Sequence, residues 1–233
     1  MVENKDEVNM QLWEMNPVWE SLTEEEREYI QAHVEVCHYR KNEIIHHEGD
    51  VPTHMMMLGT GKLRVYKEGV GNKIQIIRML KPYDLFAYRA LIADETYNTS
   101  VSAFEPSVVY KVDKHTFLRL IKQNNIFCYR FMVEMAKDLG RSDAKMVNLT
   151  QKHIRGRLAE SLMALRDKYG LEEDYSTLSM YMSREDLANL SNMTTANAIR
   201  TLSQFQAEGL ISIDGRKIKL LNEEELGKVS QMG

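Results

Sequence analysis

The sequence predicts an α+β protein: an N-terminal β barrel or sandwich, then a long helix, then a C-terminal winged helix-turn-helix. Three observations carry this. Between Glu43 and Val112, short apolar stretches alternate with breaks containing glycine or proline. From Cys128 to Leu149, apolar side chains recur in alternating steps of four and three. From Ser183 to Leu220, two short helical patterns flank a tight turn and lead into a hairpin.

Composition narrows the function classes. A chain of 233 residues can form two ordinary domains, and 43% hydrophobic with 27% charged residues is a globular balance. No apolar run reaches membrane-spanning length. The opening MVENKDEVNM is acidic and polar, unlike a secretion signal. A net charge of −4 argues against a general coat for nucleic acid. It leaves room for a sequence-specific reader, which needs only a local basic patch. Cys37 and Cys128 are the two cysteines; they match no metal-ligand spacing and suggest a reducing cytoplasm. Two cysteines cannot supply the four thiolates of an iron–sulfur cluster within one chain. No catalytic triad pattern, phosphate-binding glycine loop or paired metal ligands appear, so no enzyme and no metal site are expected.

All four prolines fall in the N-terminal half. Thr23-Glu24-Glu25-Glu26 is a capping box that opens a helix to about Val36. Strands are expected near Glu43–His47, His54–Leu58, Lys62–Lys67, Lys73–Leu80 and Ser100–Val112. Glu48-Gly49-Asp50, Gly59-Thr60-Gly61, Gly69-Val70-Gly71-Asn72 and Lys81-Pro82-Tyr83-Asp84 separate them. Residues 1–115 are assigned to this domain.

A long helix is expected from about Thr116 to Thr150, with a break near Asn124-Asn125. Its seam is Cys128, Met132, Met135, Leu139, Ser142, Met146 and Leu149. The stripe suits packing on the chain's own barrel or a coiled-coil pairing with a second copy. A helix bridging a barrel to a DNA reader favours the pairing, so residues 116–150 are assigned as a dimerisation helix. Ser142 is the polar member and weakens packing locally. Two-fold symmetry would set two recognition helices one duplex turn apart on a near-palindromic site.

Residues 151–233 form the third segment. Leu158, Leu162 and Leu165 share one face of a helix from about Ile154 to Tyr169. Ser183 is a plausible N-cap, with Asp186 as its capping partner. Leu187, Ala188 and Leu190 face inward, and Asn192 suits the left-handed backbone of a turn. Thr194 caps a second helix, on which Ala198, Ile199, Leu202 and Phe205 are read as the inward spacing and Gly209 as the stop. That leaves Thr195, Asn197 and Arg200 to reach base edges or phosphates. Ser183 and Arg184, at the start of the first helix, suit a phosphate. Ile211, Ile213, Ile218 and Leu220 alternate about Asp214-Gly215 as a hairpin, and Arg216, Lys217 and Lys219 charge it.

Barrel, long helix and winged helix-turn-helix in this order resemble the Crp/Fnr family of bacterial transcription regulators, from about Leu22 to Leu221. The resemblance rests on NEIIHHEGD (42–50), GKLRVYKEG (61–69), HIRGRLAESLMAL (153–165) and SREDLANLSNMTTANAIRTLSQFQAEGLI (183–211). It implies a jelly-roll barrel like the cyclic-nucleotide-binding domain and a cytoplasmic dimer. It further implies an unknown small-molecule effector sensed in the barrel and contact with RNA polymerase on double-stranded DNA. Base-proximal contacts would fall on Thr194, Thr195, Asn197 and Arg200. Many members carry an Arg-Glu pair where this chain has Thr195-Ala196, so the family's common operator does not transfer.

Members that bind a cyclic nucleotide hold it with Gly-Glu and then Arg-Ser. Here those positions read Ala87-Tyr88 and Tyr97-Asn98, followed by Thr99, with Ser142 and Asp143 on the helix near the base. Tight binding of cyclic AMP is therefore not expected. Arg89 is the reserve cation, for another anion or for the surface. His46 and His47 are adjacent on a strand and point to opposite faces, which is poor for chelating one ion. A lone His or Cys offers haem an axial ligand, and Cys128 could link two subunits. A haem- or thiol-based sensor on the same scaffold is thus the alternative. A sensory module whose helix-turn-helix serves protein contacts is another.

Overall fold

The computed structural model describes residues 16–69, 71 and 73–232. The acidic opening MVENKDEVNM lies outside the described residues, as do Val70 and Asn72 of the Gly69–Asn72 turn.

A short 3-10 turn, Trp19–Ser21, leads to α1 (Glu24–His33). The capping box at its start is present: Thr23 accepts from Glu26 N, and Glu26 accepts from Thr23 N. The helix ends at His33, not near Val36, because Val34–Tyr39 form a strand, β1. Val34, Val36 and the residues between them pair antiparallel with Tyr110–Val112. A ladder along a neighbouring strand outweighs a helical preference that β-branched residues hold only weakly.

Seven more strands follow: β2 (Ile44–His46), β3 (His54–Thr60), β4 (Leu63–Glu68), β5 (Ile74–Leu80), β6 (Leu85–Phe86), β7 (Ser100–Ala103) and β8 (Ser107–Asp113). They form two four-stranded sheets, ordered β1-β8-β3-β6 and β2-β7-β4-β5. This order, with the last strand inserted beside the first, is that of a jelly roll. The stretch read as one strand from Ser100 to Val112 is two, β7 and β8, parted at Phe104-Glu105-Pro106. Pro106 has no amide to continue a ladder. Gly61 packs against this break; a Cβ there would collide with Ser107 Oγ and the Pro106 carbonyl, and its φ of +87° already favours glycine.

A helix α2 (Tyr88–Ala93) lies between β6 and β7. Two further helices follow the barrel: α3 (Lys114–Gln123) and α4 (Asn125–Gln151). The break falls where the sequence places it. Asn124 is extended, accepts from Phe127 N at 2.9 Å, and donates to Ser21 O at 3.1 Å and Glu26 Oε2 at 2.8 Å. One asparagine therefore starts α4 and ties it to the N-terminal turn. Beneath these helices, Trp19, Ile30, Met55, Met57, Tyr88, Phe117, Phe127 and Phe131 form one buried cluster. Each such side chain contributes roughly 1.5–3 kcal/mol through burial.

The C-terminal part contains α5 (Ile154–Tyr169), α6 (Arg184–Leu190), α7 (Thr195–Ala207), β9 (Ile211–Asp214), β10 (Lys217–Leu220) and α8 (Glu223–Met232). Helix α5 packs on α6, α7 and α8, and its Leu158, Ala159 and Leu162 are fully buried. The chain divides into two compact units: residues up to Lys67 with Arg78–Gly140, and Glu68–Ile77 with Arg141 onward. Within the second unit, Lys145 of α4 donates to the carbonyls of Ile77 at 2.6 Å and Ile76 at 3.4 Å. Burial holds that ammonium below its usual range. Among the described residues no helix is long and apolar enough to cross a membrane.

Candidate nucleic-acid interface

The pair α6–α7 is built by its caps. Ser183 Oγ accepts from Asp186 N at 3.0 Å and donates to Asp186 Oδ2 at 2.6 Å. Thr194 Oγ1 accepts from Asn197 N at 3.2 Å. Between the helices Asn192 adopts φ +51°, and Met193 N reaches back to Ala188 O at 3.0 Å. Ser191 is buried and bonds Ser161 Oγ on α5 at 2.8 Å. Ala188 and Ala198 are fully buried, and α6 packs against α7. Gly209, at φ +71°, ends the second helix and turns the chain into β9. Arg155 clamps Glu208 with both guanidinium nitrogens and stacks over Phe205, 4.9 Å from the ring centroid.

The wing pairs Asp214 with Lys217, so its two central residues are Gly215 and Arg216. The hairpin signal at Asp214-Gly215 thus lies one residue early; Gly215, at φ +56°, is the first central residue. The segment before α6 borders the wing through an isolated bridge between Thr177 and Lys219. Asp174 there accepts from Thr177 N and Oγ1 at 2.8 Å and from Lys219 at 3.2 Å. These bonds, led by the Thr177 amide, hold its carboxyl far below the usual range.

The structure separates the basic residues expected at DNA by what already holds them. Arg184 donates to Gly215 O at 2.8 Å and so joins the start of α6 to the wing tip. Its other terminal nitrogen is buried without a partner. Lys217 sits 3.5 Å from Glu172 and 5.3 Å from the Tyr181 ring centroid. Arg200 and Arg216 are exposed and pair with none of the described residues. The cap Thr194 is exposed, as are Thr195 and Arg200 of α7, whereas Asn197 is half-buried. Helical spacing groups Ile199 with the inward residues, but Ile199 is 48% exposed beside fully buried Ala198 and Phe205. Its exposed neighbours are Ala196, Arg200 and Ser203. The signal was present: Ile199 lies one residue off the strict spacing of Ala198, Leu202 and Phe205.

The residues read as an effector pocket have other engagements. Ala87 takes φ +65° and starts α2. The Tyr88 hydroxyl donates to Asp138 Oδ2 on α4, and Arg78 donates to the same oxygen at 3.0 Å. Burial, and then that bond, push the Tyr88 phenol well above its usual range. Arg89 is exposed and paired with Glu95 at 2.8 Å. Tyr97 is buried and stacks on His46, with ring centroids 3.7 Å apart. Burial lowers His46 to about 4 and raises Tyr97 to about 12. Asn98 is exposed, Thr99 half-buried, and Ser142 and Asp143 exposed on α4. Among the described residues, no group of three or more His, Cys, Asp or Glu is placed to hold a metal ion.

Along α4, Met132 is 54%, Leu139 64% and Met146 61% exposed. Ser142 is exposed too, while Cys128 and Leu149 are half-buried. Met135 packs against the aromatic cluster beneath the helix. Tyr129, 64% exposed, adds an apolar ring to the outer side.

Comparison with known proteins places both halves. Residues 36–124 match the family profile of the cyclic nucleotide-binding domain, and residues 156–229 that of the Crp-like helix-turn-helix domain. The chain is 21% identical to the cyclic AMP receptor protein of Thermus thermophilus, over 91% of this chain and 98% of that protein. It is 26% identical to the transcriptional activatory protein AadR of Rhodopseudomonas palustris, over 85% of this chain and 81% of that one. The solved structure of FixK2 from Bradyrhizobium japonicum superposes with a TM-score of 0.76 at 22% identity, over 84% of this chain and 96% of that one.

Proposed function

This chain belongs to the Crp/Fnr family and is a DNA-binding transcription regulator, not an enzyme; from that premise we propose that it acts as a cytoplasmic homodimer on a near-palindromic duplex. The observation that carries the proposal is the outward apolar side of α4, where Met132, Leu139 and Met146 stand more than half exposed. Pairing two copies along that stripe removes it from water. It would set two α7 helices into successive major grooves, with Arg200 at base edges and Arg216 at the backbone. Ser183 and the first amides of α6 would face a phosphate. Arg184 and Lys217 would act mainly by holding the wing. RNA polymerase is the partner that turns docking into regulation.

The signal acts in the barrel and is not cyclic AMP. The Thermus relative is named a cyclic AMP receptor protein. In this chain Arg89, two residues beyond Ala87, is on the surface and neutralised by Glu95. The Tyr88 hydroxyl is committed to Asp138. A phosphodiester needs free donors and positive charge at that turn. No observation favours haem or a thiol as the sensor.

The test is selection of bound duplexes from a random pool, with and without cell extract, paired with sedimentation of the protein. A two-fold-related motif bound by a dimer is expected. Arg200→Ala should lose the motif and still sediment as a dimer. A monomer with no preferred sequence would refute the proposal, and micromolar cyclic AMP affinity by calorimetry would refute its effector part.

A further inference from the structure

We propose that Ile199 is a base-reading residue that recognises the C5-methyl group of a thymine in each half-site. This rests on the docking of α7 in the major groove argued above. The buried side of α7 is Ala198, Thr201, Leu202 and Phe205, none more than 2% exposed. Over the first turns, from Thr195 to Ser203, the open side is Thr195, Ala196, Ile199, Arg200 and Ser203. At 3.6 residues per turn these five fall within one arc of roughly 140°, with Ile199 inside it rather than at its edge.

The chemistry of that arc is narrow. Over these first turns it holds no carboxylate to accept from the cytosine amine and no amide to make the paired contact to adenine; the exposed Gln204 and Gln206 sit on the last turn of α7, away from the end that enters the groove. Asn197, the amide nearest in sequence, is half-buried and lies outside the arc. What remains is a guanidinium and two hydroxyls, with aliphatic surface from Ile199, Ala196 and the Thr195 methyl. Thymine is the base that offers an apolar group to the major groove, and guanine is the base that suits Arg200. A β-branched side chain in mid-helix is a mediocre helix former, and Ile199 lies outside the buried core of its unit. Neither helix stability nor core packing therefore accounts for isoleucine at this position. Contact with a thymine methyl would return to it the apolar partner that the protein withholds.

The experiment uses the full chain and the motif obtained by selection. Each thymine of the motif is replaced in turn by deoxyuridine, which removes only the methyl group, and affinity is read by fluorescence anisotropy. The same set is read with Ile199→Ala, which leaves the buried side of α7 untouched. At one two-fold-related position, loss of each methyl should weaken the native protein about fourfold, the worth of one buried methyl. Ile199→Ala should bind both forms of that site equally. Deoxyuridine tolerated at every position, or an alanine variant as sensitive as the native protein, would overturn the assignment to Ile199 while leaving DNA recognition intact. A pool that yields no motif would overturn the docking of α7 and this inference with it.

Discussion

Burial changes the chemistry of His46 more than its sequence neighbourhood implies. The ring is 7% exposed, stacks on Tyr97 and has its Nδ1 buried without a partner. With the folded value lowered from 6.5 to about 4, the unfolded chain binds the proton more readily between those limits. Stability from this residue is complete above the unfolded value. It falls as pH drops through the window and is gone below the folded value, a loss of about 3 kcal/mol in all. His46→Phe should therefore flatten the difference in denaturation midpoint between neutral pH and about pH 5. An unchanged difference would show that His46 is not protonated on unfolding. Sequence alone placed His46 and His47 on opposite faces, which agrees with one buried and one exposed. It could not show the stacked ring, because Tyr97 lies fifty-one positions on. Ile199 differs in kind. Its spacing looked inward, and only the packed helix shows which of two adjacent apolar residues, Ala198 or Ile199, the core takes.

The elements best read from sequence are those with local causes. Thr23, Ser183 and Thr194 cap the helices expected of them. Asn124 breaks the long helix, and Asn192 turns between α6 and α7. The start of β1, Val34 to Val36, reads as helix from sequence because its partner β8 is seventy-odd residues away, and β7 and β8 read as one strand across a proline. The long helix α4 is where a prediction belongs to an element. Met132, Leu139 and Met146 match the outward stripe, while Met135 is drawn to the aromatic cluster. Leu139→Glu should leave the fold intact, since this side chain is 64% exposed. It should split the dimer, because two facing carboxylates repel by up to roughly 4 kcal/mol at close range. Sedimentation at micromolar concentration checks this; a surviving dimer removes Leu139 from the interface.

For the molecule as a whole, charge decides how DNA is met. The net charge is −4, and Lys217 and Lys219 are offset by Glu172 and Asp174. Affinity for a motif must then come from a few cations such as Arg200 and Arg216, placed locally. Binding should weaken linearly in log–log form as salt rises, with a shallow slope of a few phosphates per dimer. A salt-independent affinity, read by anisotropy across a titration, would contradict phosphate contact. The amino-acid sequence by itself determined the order of barrel, helix and winged reader. Turn residues, caps and hydrophobic period act over a few residues and need no distant partner. Tertiary structure alone decided which strands pair and how Arg184, Tyr88 and Tyr97 spend their polar atoms. It also decided which side of α7 stays open. Those outcomes depend on groups far apart in the chain competing for the same buried space.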